Sequence, residues 1–339
     1  MGTATRVPET SRMAAEELSG DDARATLRRT GLRRLGRDTF RRFRYGDGFT
    51  SARALGYQFV LGFIPLVIAT VALSSTMKAE KPAQALRDTL LTLNPGGSSD
   101  AVGRTLRNAA TQGSGDRLVF VVGLVTAVVA LVASMGQIER GANRIYGVER
   151  DRSALPKYLR ATVLGLVAGI PAMIGFLLLV AGGTAIDVFS RAYGWSDTVT
   201  GALQVARWPL GALLDLLAIT VIFRWAPRRR QPAMSWMAFG AGGALVLWLG
   251  FTGLLALYIN SSPSFGRVYG ALTGVFALLL WAQLTATAQL LGIAAAAQLE
   301  AIRSGRPQPV MPDPERAARP RPGSDVGSDV GSDVGSGVG

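Results

Sequence analysis

Asp215 stands inside an otherwise uncharged apolar stretch, the one acid set well within such a stretch in this chain. An ionised carboxylate at mid-bilayer costs about 3 kcal/mol on insertion scales, so such a residue faces protein or water and suits a proton- or cation-linked site. The alternative is a buried acid that is protonated or held by a structural partner. A second polar group lies in another apolar stretch, at Gln283, Thr285 and Gln289, with Thr287 among them. Thr285 and Gln289 share a helix face by their i, i+4 spacing, as do Gln283 and Thr287, and Trp281 precedes Thr285 by four. Such a row either lines a polar path or bonds neighbouring helices, each bond contributing roughly 0.6 kcal/mol. Asp215, Gln283, Thr285 and Gln289 are therefore the candidate intramembrane site.

Other chemistry is excluded by composition. The 339 residues include no Cys and no His. Disulfides, thiolate nucleophiles, Cys/His zinc sites and Ser-His-Asp triads are thereby ruled out. Lys occurs only at Lys78, Lys81 and Lys157, none of them in a phosphate-binding loop pattern. Glu139, Glu149 and Asp151 share a basic loop and read as ion-pair partners on a solvated surface, against a metal-dependent nuclease. No catalytic residue, metal ligand or cofactor is expected.

The elements that must carry these residues are membrane helices. A hydrocarbon core about 30 Å thick needs about 20 apolar residues in a helix. Uncharged or nearly uncharged runs occupy residues 54–73, 118–135, 161–186, 208–225, 233–260 and 268–299. The fourth run is the weakest, being short and containing Asp215. Charge supports it: with six spans, 27 of the 36 Lys and Arg fall on one side and 9 on the other. The excess places both termini in the cytoplasm. The fold class is thus an all-α membrane protein, six transmembrane helices in one bundle, in a bacterial plasma membrane.

The flanks fit this plan. Residues 74–117 form a long external loop with helix-like stretches at 82–93 and 101–110, separated by Asn-Pro-Gly-Gly-Ser-Ser. Residues 1–22 read as disordered. Residues 23–45 read as a basic amphipathic helix, with Leu32, Leu35, Phe40 and Phe43 forming a stripe among arginines. The net charge of +13 and this stripe suit a bilayer with an anionic inner leaflet as partner, not nucleic acid. Residues 304–339 end in a Gly-Ser-Asp-Val repeat and read as a disordered tail. Pro65 and Pro171 sit inside spans, and Gly165–Gly169 and Gly270–Gly274 have the small-xxx-small spacing of close helix approach.

Several local patterns form an ordered set. Ala54-Leu55-Gly56-Tyr57 precedes Pro65; Asn143, Tyr146, Gly147 and Val148 follow the second span; Arg224 and Pro227 end the fourth. Gly240, Trp248, Phe251 and Tyr258 mark the fifth, and Tyr269, Gly270, Trp281, Leu291 and Gly292 the sixth. Over residues 35–302 the chain resembles the YihY/virulence factor BrkB family of bacterial inner-membrane proteins. It departs from the family at Arg53, where a small residue is usual, and at Ile293-Ala294, where an Ala-Glu pair is frequent. The resemblance implies a six-span membrane protein linked to transport or lipid handling, without catalytic residues to carry over.

Two functions stand against each other. One is a transporter or lipid-moving protein, motivated by Asp215, the polar sixth span and the internal prolines. The other is a non-transporting scaffold or assembly factor of the envelope, motivated by the tail and the external loop. Homo-oligomers and envelope partners stay open.

Overall fold

The computed structural model describes residues 5–10, 18–76, 116–148, 153–180, 182–261 and 273–312. The two external-loop stretches, Tyr269, Gly270, Glu149, Asp151 and the repeat tail lie outside the described residues. Nine helices and two short strands occur among them: β1 (Thr5–Arg6), α1 (Gly20–Thr30), α2 (Leu32–Tyr45), α3 (Gly48–Thr76), α4 (Asp116–Tyr146), α5 (Ala154–Val180), α6 (Gly182–Tyr193), α7 (Asp197–Trp225), α8 (Met234–Ser261), α9 (Thr273–Arg303) and β2 (Met311–Pro312).

Five of these, α4, α5, α7, α8 and α9, are long and apolar enough to cross a membrane by length and composition. The first expected span lies within α3, a helix of 29 residues. Six long helices close a ring: α3 packs on α4, α4 on α5, α5 on α7, α7 on α8, α8 on α9, and α9 back on α3. The short connections after α4 and α7 and the helical one after α5 make the helices they join antiparallel neighbours. The fourth span is not short: α7 begins at Asp197, where Ser196 accepts a hydrogen bond from Val199 N at 3.4 Å and caps the helix. Arg207 therefore lies inside α7, with its guanidinium turned to the Leu178 and Leu179 carbonyls at the end of α5. The third expected span, 161–186, falls partly on α5, which ends at Val180, and partly on the separate helix α6.

The core is concentrated at one end of the ring, where α4, α7 and α9 finish and α3, α5 and α8 start. Phe43, Leu55, Ile138, Ile145, Tyr146, Phe223, Trp236, Met237, Leu290 and Ile293 are packed there. Elsewhere the long helices present apolar faces outward. On α5, Leu155, Leu159, Val163, Val167, Ile170, Ile174 and Leu177 form one exposed stripe. A stripe of that length facing water would be unstable, whereas lipid is a good solvent for it.

The N-terminal expectations change. Residues 5–10 and 18–22 are ordered rather than disordered: β1 pairs with β2, and Leu18 is fully buried. The expected single helix over 23–45 is broken at Gly31, whose φ of 78° no neighbouring residue type adopts cheaply. Ser19 and Asp22 form a capping box that starts α1. In α2, Leu35 and Phe43 face the bundle, but Leu32 and Phe40 point away, so the four do not form one stripe. The tail is ordered to residue 312, because residues 304–312 fold back to carry β2.

Candidate functional site

The intramembrane candidates sit on two different helices. Asp215 is 7% exposed on α7 and faces α5. A methyl group on Gly175 would lie 2.5 Å from Asp215 Oδ1 and 2.9 Å from the Gly211 carbonyl, so the glycines let the two helices meet beneath the carboxylate. Among the described residues Asp215 makes no hydrogen bond and no ion pair. On α9, Thr285 accepts a hydrogen bond from Trp248 Nε1 at 3.1 Å. Gln289 Oε1 is buried without a hydrogen-bond partner among the described residues. Gln283 lies where α3 crosses α9, its Cα 3.0 Å from a methyl built on Gly56. No hydrogen bond joins Asp215 to these three. What lies between is aromatic: Phe176, next to Gly175, packs on Trp248 and Trp281 with ring centroids 6.3 and 5.3 Å apart.

The packed end of the ring holds a second polar cluster. Arg42 on α2 is fully buried. Its guanidinium donates to the Ile145 carbonyl at 3.1 Å, to the Ala297 carbonyl and Gln298 Oε1 at 3.2 Å each, to the Pro8 carbonyl at 3.1 Å and to Thr10 Oγ1 at 2.9 Å. Burial pulls it down from the ordinary guanidinium range to about 10, so it remains charged at neutral pH. Beside it Arg229 pairs with Glu300 and stacks over the Tyr146 ring, 4.6 Å from the centroid. Thr10 N donates to the Tyr146 carbonyl at 3.0 Å, which ties the N-terminal strap to the end of α4.

Asn143, Tyr146, Gly147 and Val148 of the ordered sequence set meet in this cluster. Asn143 Oδ1 accepts from Arg228 N at 2.7 Å and the Asn143 carbonyl accepts from Val148 N at 2.8 Å, so one asparagine ties the turn after α4 to the loop after α7. Gly147 has φ 75°, and a methyl there would lie 2.6 Å from the Pro8 carbonyl. The sequence pattern of the family described as virulence factor BrkB matches residues 39–317. The chain belongs to the virulence factor BrkB family. The ribonuclease-like protein YfkH of Bacillus subtilis strain 168 is 22% identical over 76% of this chain and 91% of its own. A UPF0761 membrane protein of Aggregatibacter aphrophilus is 25% identical over 78% of this chain and 91% of its own. Another, of Rhodospirillum centenum, is 27% identical over 80% of this chain but 59% of the relative. No solved structure matches the chain.

Other BrkB-pattern residues have packing roles. Gly292 and Gly240 face each other where α9 crosses α8; a methyl on either would lie 2.7 Å from the other's carbonyl oxygen. Gly165 and Gly169, the small-xxx-small pair outside that pattern, both face Leu131 of α4, and Pro65 of the pattern lies inside α3. Pro227 is buried in the loop after α7, Arg224 is half-buried, Tyr57 is exposed on α3, and Trp281 belongs to the aromatic layer. Among the described residues no group of three or more His, Cys, Asp or Glu is placed to hold a metal. Sequence reasoning missed Thr10, Arg42, Arg229, Gln298 and Glu300. Glu300 was detectable as the one acid near the end of the sixth apolar stretch, eight residues after Gly292.

Proposed function

We propose that this BrkB-family chain is a six-span plasma-membrane protein with both termini in the cytoplasm. It moves a lipid or another amphiphilic anion, and it is a transporter, not an enzyme. The observation that carries the reading is Asp215, 7% exposed in the interior of α7 and unpaired among the described residues. A carboxylate so placed in a membrane takes up a proton or a cation, or meets water as the bundle moves. The uneven packing of the ring supports the same reading, with its apolar core at one end and the Phe176–Trp248–Trp281 layer above it. The 27-to-9 arginine and lysine split supports the proposed topology, and α3 and α7 at 29 residues each exceed the length needed to span. A basic inner rim favours anionic cargo. The nuclease suggested by the name of the Bacillus relative needs grouped exposed acids, whereas Glu139 is turned into the packed end at 4% exposure.

The test is reconstitution into liposomes with assays of lipid scrambling and small-anion flux. Flux is expected from the unaltered protein and its loss from Asp215→Asn, with the variant still in the membrane. Normal flux in the variant would remove Asp215 from the mechanism. No flux from the unaltered protein would favour the scaffold reading. A reporter fused after Ser304 is expected on the cytoplasmic side.

A further inference from the structure

The face that α2 turns away from the bundle is exposed among the described residues and carries an unusual mixture. Leu35, Asp38, Thr39, Arg42 and Phe43 occupy the docked face. Opposite them Arg33, Arg37, Arg41 and Arg44 are exposed, with Phe40 in their midst at 47% exposure. Arg37 lies 3.5 Å from Asp38, and Arg44 stacks near Tyr45 with its guanidinium 5.9 Å from the ring centroid. Arg33 and Arg41 make no ion pair among the described residues.

Phe40 is continuous with a membrane helix. Its ring meets Phe49, at the start of α3, edge-on with centroids 6.1 Å apart, and Phe49 is itself 42% exposed. Phe49, Arg53, Tyr57 and Leu61 follow at four-residue intervals along one exposed face of α3. A helix face in bulk water gains nothing from displaying phenylalanine between arginines. At the boundary between headgroups and acyl chains the rings find apolar depth and the guanidinium groups find phosphate, which they grip in two-pronged fashion.

We propose that the outward face of α2 and the first turns of α3 bind anionic phospholipid headgroups of the inner leaflet. Arg33, Arg37, Arg41 and Arg44 engage the phosphates, and Phe40 and Phe49 sink into the acyl boundary. This rests on the cytoplasmic N-terminus proposed above.

The experiment uses the full chain in phosphatidylcholine bilayers with spin-labelled phosphatidylglycerol or phosphatidylcholine as probe, comparing how much of each is immobilised on the protein. A preference for phosphatidylglycerol of about threefold or more is expected at moderate salt, shrinking in 1 M NaCl. It should fall to about one in the Arg33→Gln/Arg37→Gln/Arg41→Gln/Arg44→Gln variant, whose altered side chains are exposed, and stay intermediate with Lys at the same positions. An Arg24→Gln/Arg28→Gln/Arg29→Gln variant on α1 should keep the preference. An unchanged preference in the α2 variant, or equal loss in the α1 variant, overturns the proposal. Since the chain has no cysteine, Gly36→Cys, which has open space around it, reports topology. Labelling from the cytoplasmic side without lipid preference defeats this proposal alone, and labelling from outside defeats the topology as well.

Discussion

Arg229 and Glu300 form an ion pair in which the two side chains are 2% and 1% exposed. The pair joins the loop after α7 to the last turns of α9, and Tyr146 of α4 covers the guanidinium. Removing one partner strands the other charge in a medium that solvates it poorly, whereas removing both removes the problem. Glu300→Gln or Arg229→Leu should cost about 3–5 kcal/mol of stability, and the double variant Arg229→Leu/Glu300→Leu distinctly less than the sum. Thermal unfolding in detergent measures this; additive losses would mean the two residues act independently.

Arg42 holds the strap of residues 8–10 through two of its five bonds, to the Pro8 carbonyl and Thr10 Oγ1. Lysine has the charge but not the planar fork. Arg42→Lys should therefore free the strap while the ring persists. Hydrogen exchange reads this at the Thr10 amide, bonded to the Tyr146 carbonyl. Protection unchanged in the variant would show that β1–β2 pairing alone holds the strap.

Two glycines on α8 and α9 should respond oppositely to a methyl group. At Gly292 it would lie 2.6 Å from the Ala244 Cβ, and at Gly250 it meets nothing within 4 Å. Gly292→Ala should destabilise by about 1–3 kcal/mol through overpacking. Gly250→Ala should stabilise by about 0.5–1 kcal/mol, since alanine is the better helix former. Unfolding midpoints compared in one detergent decide it; equal shifts would deny the close α8–α9 crossing.

The N-terminal cap of α1 should weaken in acid. Hydrogen bonds from the Ser19 hydroxyl and amide hold the Asp22 carboxyl below its ordinary 3.8, with Arg303 adding to the effect. A lowered carboxyl contributes stability that is present above 3.8 and is lost as pH falls through the lowered value. Protection of the α1 amides, taken relative to the intrinsic exchange rate at each pH, should be higher at pH 6 than in acid below that lowered value. Asp22→Asn should abolish that dependence. Protection persisting in acid would show that burial of Ala23 and Thr26, not the cap, keeps α1 in place.

The long helices were legible because lipid imposes one simple rule: about 20 apolar residues, with arginine left on the inner side. Asp215 was legible for the same reason, as an exception to that rule. The length of α7 was not, because its first turns mix Thr, Gln and Arg207 with apolar residues and are held by α5 and α6 instead of by lipid alone. The order in residues 5–10 was hidden too, for that segment has no periodicity and borrows its partners from Arg42 and β2.

Composition and spacing by themselves determined the solvent of this protein, its helical class and its charge asymmetry, since each of those is a sum over local residues. They did not determine which arginine of α2 turns inward. Arg41 and Arg42 are chemically the same, and only Arg42 meets carbonyls and a glutamine lying 103 to 256 positions away. Such a site exists only once the six long helices have closed their ring, because no nearby stretch of chain supplies those acceptors.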